Sequence, residues 1–154
     1  MQAALMQPTL MQTAFTQKAL IIRQSIILPA ERARVWQALT EPEIISQWFE
    51  KLDFARLALG ESIQFRWGEK GEIILIEPLA RFGFRWQLAA PEPGRTLVIF
   101  TLETVAAGTR LTVTENGFEA LPDDVRDDCF NDNIVCWGFE LKRLERYLQA
   151  SDHD

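Results

Sequence analysis

The stretch Pro122–Ala150, PDDVRDDCFNDNIVCWGFELKRLERYLQA, decides the fold. Its apolar residues Phe130, Ile134, Trp137, Leu141, Leu144 and Leu148 recur at spacings of four and three. At 100° per residue they fall within about 80° of arc, the narrow stripe of an amphipathic helix. Lys142, Arg143, Glu145 and Arg146 occupy the other side. Pro122 suits a first helical turn, although Leu121 is a poor cap. One long face of this helix must be covered, and the partner has to come from the preceding residues.

Those residues read as strands. Ser62–Trp67 alternates, with Ile63, Phe65 and Trp67 on one face. Gly68 and Gly71 bracket a turn before EIILIE, which Pro78 ends. Arg81–Leu88 sets Phe82, Phe84, Trp86 and Leu88 against Arg81, Gly83, Arg85 and Gln87. After a loop with Pro91, Pro93 and Gly94, Thr96–Val105 carries Val98, Phe100 and Leu102 on one face. Ala106-Ala107-Gly108 reads as a hairpin loop before a last strand, Thr109–Phe118, with Leu111 and Val113 inward. Short connections and half-polar strands imply an antiparallel sheet with one wet face.

Upstream, Ala19–Leu28 (ALIIRQSIIL) is rich in β-branched residues and reads as strand one. Pro29 is placed to open a helix, PAERARVWQAL, with Val35, Trp36 and Leu39 as its apolar side. Thr40-Glu41-Pro42-Glu43 has the form of a capping box opening a second short helix through Trp48 and Phe49. The order is strand, two helices, five or six further strands, one long helix. It predicts an α+β domain over residues 19–150, a curved antiparallel sheet wrapped around the C-terminal helix. Residues 1–18 read as a flexible tail, with packing on a partner subunit as the alternative, and residues 151–154 as a frayed end.

Composition narrows the chemistry. With 154 residues the chain can bury a core without disulfides or metal. Sixteen Lys and Arg against 22 Asp and Glu give −6, which lacks the basic footprint of a nucleic-acid or anionic-membrane binder. The one histidine, His153, is second from the end, so no His triad, shuttle or multi-His metal site can form within one subunit. Cys129 and Cys136 lack zinc or redox spacing and read as reduced core-edge thiols, as in a cytoplasm. Asp123, Asp124, Asp127, Asp128 and Asp132 sit where a helix N-terminus favours negative charge, without a metal. No membrane span or signal peptide is visible, and no cofactor is expected.

Parity supplies the candidate site. If Leu111 and Val113 face inward, so does Glu115, a lone carboxyl on an apolar face. The alternatives are a solvated strand end, or a bulge near Gly117 that reverses parity. On the helix, Asn133 and Glu140 lie about 40° and 60° from Trp137, at the border of the buried stripe. Ring-rich positions complete the set. The candidate ligand contacts are Trp48, Phe65, Trp67, Phe84, Trp86, Phe100, Leu102, Val113, Glu115, Asn133, Trp137, Glu140 and Leu141. Glu115 is also the one candidate for acid–base chemistry. The competing reading makes most of these side chains ordinary core.

Four stretches carry a family resemblance: PAERARVWQALTEPEIISQWF, GEIILIEPLARFGFRW, GTRLTVTENGF and WGFELKRLERYL. In this order they resemble the SRPBCC superfamily, which shares a helix-grip fold with START-like domains. Within it they resemble proteins similar to the activator of the 90-kDa heat-shock chaperone's ATPase. The resemblance covers roughly residues 20–149 and speaks for fold more than for function. It implies a small hydrophobic or amphipathic ligand, lipid or polyketide-like, held in a cavity between the sheet and the C-terminal helix. The alternatives are a module that binds a chaperone or a second copy of itself, and a cyclase or dehydratase using Glu115. An enzyme is the less expected outcome.

Overall fold

A computed structural model describes residues 20–49, 52–65, 69–87 and 95–151. The N-terminal segment, Trp67, Gly68, Leu88, the Pro91–Gly94 loop and His153 lie outside the described residues. Strand β1 (Ile22–Leu28) is followed by helices α1 (Arg32–Thr40) and α2 (Pro42–Trp48). Then come β2 (Leu52–Phe54), β3 (Ser62–Phe65), β4 (Lys70–Glu77), β5 (Arg81–Gln87), β6 (Arg95–Val105) and β7 (Gly108–Asn116). A 3-10 turn (Phe118–Ala120) leads into α3 (Asp123–Ser151). The strands form one antiparallel sheet in the order β1-β7-β6-β5-β4-β3-β2.

Alternation puts the apolar half of each strand on the concave face. Ile63, Phe65, Phe82, Phe84, Trp86, Val98, Phe100, Leu111 and Val113 are all buried there. A bulge between Ile73 and Leu75 shifts the register of β4 against β5 and adds local bend, as an extra residue in one strand does. Trp137, Leu141, Leu144 and Leu148 of α3 cover that face. Their rings and methyls remove most of the shared apolar area from water, the main source of stability here. Polar bonds fix the helix pair to α3. Arg34 donates to the Leu148 carbonyl at 3.0 Å and Arg143 to the Trp48 carbonyl at 2.6 Å.

Several local expectations are corrected. Pro29 lies ahead of α1, because Ala30 N–H bonds back to the Leu28 carbonyl at 2.9 Å and Glu31 is the N-cap. That turn is held by Thr109, whose hydroxyl donates to the Ala30 carbonyl, and by the close approach of Gly108 to the Leu28 carbonyl. Thr40 ends α1 and does not cap α2: its hydroxyl donates to the Trp36 carbonyl one turn back, and Glu41 is the N-cap. Gly71 lies within β4, with no room for a side chain beside the Arg85 carbonyl. Phe118 belongs to the 3-10 turn because Gly117, at φ 102, breaks the strand. Strand β2 was not foreseen as a separate element; three residues carry too little alternation to register.

The apolar stripe of α3 is not covered along its whole length. Phe130 is half-buried and Ile134 is 37 % exposed, whereas every stripe residue from Trp137 onward is buried. Cys129 is half-buried and Cys136 is exposed, so only the first is a core-edge thiol. Among the described residues no helix is long and apolar enough to cross a membrane.

Candidate functional site

Where the cover of α3 becomes incomplete, a carboxyl is buried. Glu115 is 0 % exposed. The ladder runs without a shift through Ile22, Glu115 and Val98, so the side chain shares the concave face with Val113 and Leu111. Both alternatives, a solvated strand end and a bulge before Gly117, are thereby overturned. Three donors from two layers converge on it. Thr96 of β6 donates to Oε2 at 2.6 Å, and Trp137 of α3 donates through Nε1 to Oε1 at 2.8 Å. Asn133, one turn earlier on α3, reaches the two oxygens at 3.0 and 3.1 Å. Indole N–H can only donate, so Trp137 always sees an acceptor at Oε1.

A second pairing of the same kind stands beside it. Trp86 Nε1 donates to Glu69 Oε1 at 2.7 Å. The Trp86 and Trp137 rings meet edge to face, with centroids 6.4 Å apart, and Phe65 stacks on Trp86 at 4.9 Å. Two indole–carboxylate pairs thus sit side by side at one end of the sheet.

The electrostatics follow from this crowding. Burial pushes the Glu115 carboxyl above its ordinary range; the bonds from Thr96, Trp137 and Asn133 pull the other way, and the Glu69 charge adds to the rise. Cys129 is pushed up as well, first by burial, then by Asp132, Glu69, Glu115 and Asp128. Cys129 is therefore held as a thiol, a poor nucleophile. Glu115 is the opposite case: a buried carboxyl whose pKa is raised above the ordinary range is better suited than an exposed one to exchange a proton with a neighbouring group. Among the described residues no group of three His, Cys, Asp or Glu side chains is placed to hold a metal ion.

Of the thirteen expected contacts, Glu115, Asn133, Trp137, Trp86 and Phe65 come together here. Phe84 and Phe100 form the next layer, Phe84 against Phe65 and Trp86, Phe100 against Trp137. Val113 is buried one alternation further along β7. Leu102 is six residues from Thr96, about 20 Å along the strand, and lies in the core at the far end. Leu141 is a turn beyond Trp137, also core. Trp48 faces the helix pair, where its Nε1 donates to the Ala38 carbonyl at 2.8 Å. Glu140 lies 3.7 Å from Arg143 Nε, which is itself bonded to Trp48, so it belongs to the α2–α3 junction. Trp67 lies outside the described residues.

Thr96 and Glu69 were missed. Thr96 could have been found, since it alternates in step with Val98, Phe100 and Leu102. Glu69 carries no such signal: its partner Trp86 is seventeen residues away and reaches it only through the β4–β5 pairing. Open clefts among the described residues lie elsewhere. One, about 370 Å³, is lined by Gln47, Trp48, Arg143, Arg146 and Tyr147; another, about 510 Å³, runs along Pro29–Gln37. Neither includes Glu115.

Comparison with known proteins places the fold. The protein is similar to MLL2253 from Mesorhizobium loti, with 26 % identity and a TM-score of 0.73 over 84 % of this chain and 97 % of that one. It is similar to DynU16, a protein of the dynemicin biosynthetic locus, with 27 % identity and a TM-score of 0.72; 85 % of this chain matches 48 % of that one. It shares its fold with the Aha1 dimer from Colwellia psychrerythraea, at 23 % identity and a TM-score of 0.68 over 83 % and 95 % of the two chains. No curated protein matches the sequence. The model of the family described as Activator of Hsp90 ATPase homolog 1-like protein matches residues 29–149, from the turn after β1 to the last turns of α3. That span covers most of the chain, which belongs to this family of the SRPBCC, helix-grip superfamily.

Proposed function

We propose that the chain binds a small amphipathic molecule at the Glu115 end of the sheet–helix interface. The apolar body of the ligand lies against Phe65, Trp86 and Phe130, and its polar end meets Glu115 and Asn133. The observation that carries this reading is the fully buried carboxyl with donors from both layers. Taking a carboxylate out of water costs several kcal/mol, and an apolar residue of similar size would serve packing better. Perturbed carboxyls of this kind cluster at binding and reacting sites. The thinner cover of α3 at Phe130 and Ile134 supports this reading.

The test uses Nile red, a neutral apolar dye, with native mass spectrometry of the purified chain. Dye fluorescence should rise on binding and be displaced by long-chain amphiphiles, and Trp86→Ala should weaken the dye at least fivefold. Absence of dye binding together with absence of any co-purifying molecule overturns the proposal. The raised acidity range of Glu115 favours a second reading, a proton-transferring enzyme on the same ligand. There Glu115→Gln would abolish turnover while leaving ligand affinity in place. The chaperone-ATPase-activator reading has the family's description behind it. Self-association has a specific surface to support it.

A further inference from the structure

The outer face of α3 carries a pattern that the buried face does not explain. Val135 is 59 % exposed and Phe139 is 67 % exposed, two large apolar groups on the solvent side of a long helix. Asp128, Asp132, Lys142 and Arg146 are exposed along the same side. From Asp128 to Arg146 these six residues are spaced four, three, four, three and four. At 100° per residue they lie within about 40° of the direction opposite Trp137. The stripe spans about 27 Å of helix. It has an acidic end, an apolar middle and a basic end.

We propose that this stripe is the seam of a homodimer, in which a second copy packs antiparallel across a two-fold axis level with Trp137. Turning the helix end for end about residue 137 exchanges Val135 with Phe139, Asp132 with Lys142, and Asp128 with Arg146. Each acidic side chain of one copy then meets a basic side chain of the other, and the apolar pair meets its own exchange partner. An isologous interface demands this self-complementarity. A parallel arrangement would set like charges opposite one another at both ends. Spacings of four and three are those that let two helices interlock at a shallow angle. Lys142 has a neighbour on its own helix, the half-buried Glu145 at 3.3 Å, but such an i,i+3 pair with its lysine mostly in solvent is weak enough to be exchanged for a partner across the seam. The seam involves neither Glu115 nor its donors, so this proposal stands or falls separately from ligand binding.

A single helix pair with two apolar anchors per copy makes a small interface, so micromolar affinity is expected. The experiment is sedimentation of the full chain from about 1 to 200 µM, a range chosen to bracket that affinity. The expected result is a concentration-dependent dimer. Phe139→Asp should weaken it at least tenfold, with the thermal melt unchanged at the lowest concentration, where the chain is monomeric, since the side chain is mostly in solvent. Asp132→Lys and Lys142→Glu should each weaken it severalfold, and the double exchange Asp132→Lys/Lys142→Glu should restore it. Cys136 flanks the axis, so a short bismaleimide should join the two copies through this residue, and Cys136→Ser should prevent it. A chain that stays monomeric at 200 µM overturns the proposal. So does a dimer that is indifferent to Phe139→Asp and to the charge exchange.

Discussion

The sharpest prediction concerns Glu115→Gln. The substitution keeps shape and removes the ionisable group. In the acid form, Glu115 can donate from Oε2 to Thr96, 2.6 Å away, while Oε1 accepts from Trp137 at 2.8 Å and Asn133 at 3.0 Å. The variant's amide can do the same, with its nitrogen toward Thr96, whose hydroxyl turns to accept. Below the carboxyl's ordinary value of 4.5, the two proteins should therefore differ by no more than about 1 kcal/mol. Above it they should part. Burial raises the folded-state pKa, so between the ordinary and the raised value the native protein holds a proton that the unfolded chain has released. Stability contributed by Glu115 is thus fully present below the ordinary value and is lost as pH rises through the raised one.

The variant should accordingly gain on the natural protein with rising pH, by about 1.4 kcal/mol for each pH unit by which the folded pKa is raised. The gain should then level off. Urea unfolding of both proteins at half-unit steps from pH 4 to 8 measures it, because every other titrating group is shared and cancels. A gap that stays flat across the range would refute the reasoning. So would a gap that closes in favour of the natural protein, since the donors would then outweigh burial.

Two further predictions test the frame that holds the site. Leu79 has φ 67 at the third position of the Pro78–Leu79 turn, closed by Ala80 N–H on the Glu77 carbonyl at 2.9 Å. A left-handed leucine costs roughly 1–2 kcal/mol, so Leu79→Gly should raise unfolding free energy by roughly 0.5–1 kcal/mol, read as a melt shifted up by a few degrees. Gly71→Ala should do the reverse. Its Cβ would stand 2.7 Å from the Arg85 carbonyl and 3.3 Å from the Phe65 ring, and relieving that contact should cost about 1–3 kcal/mol in denaturant unfolding and disturb the Phe65–Trp86 stack.

What was legible in the sequence follows from how far each signal travels. Alternation is local and propagates, so reading Leu111 and Val113 as inward was enough to place Glu115, three positions short of the end of the pattern. The stripe on α3 identified Trp137 in the same way and put Asn133 at its border. Hydrogen-bond partners are not local. Thr40 has the right residues around it for a capping box, yet its hydroxyl found a carbonyl one turn back, an option any threonine has in a helix. Glu140 and Asn133 looked alike from their angles on the helix. The first met Arg143 and the end of α2; the second met Glu115. Which border residue joins a site depends on what the neighbouring layer offers there, and a single helix does not contain that information.

The division along α3 gives the domain two mechanical halves. Beyond Trp137 the helix is held by Leu141, Leu144 and Leu148 in the core and by the arginine bonds from Arg34 and to Trp48. Before Trp137 the apolar cover is thinner, with Val125, Cys129 and Phe130 half-buried and Phe130 edge-on to Phe118 at 5.2 Å. Polar contacts add to it: Asn133 on Glu115, and Gln24, whose side chain donates to the Ile134 carbonyl at 2.8 Å. Apolar burial is insensitive to pH and to the identity of a small ligand, whereas each of those polar contacts can be exchanged for one to a bound molecule. A helix anchored at one end by fully buried side chains and at the other by half-buried ones and exchangeable bonds can open locally without unfolding, since local opening costs less where fewer apolar contacts must be broken. Amide exchange should therefore be faster over residues 124–134 than over 138–148, and ligand should slow only the first group. Equal protection of the two halves in the free protein would mean that the Glu115 cluster is as rigid as the core, leaving no route for a ligand to enter between helix and sheet.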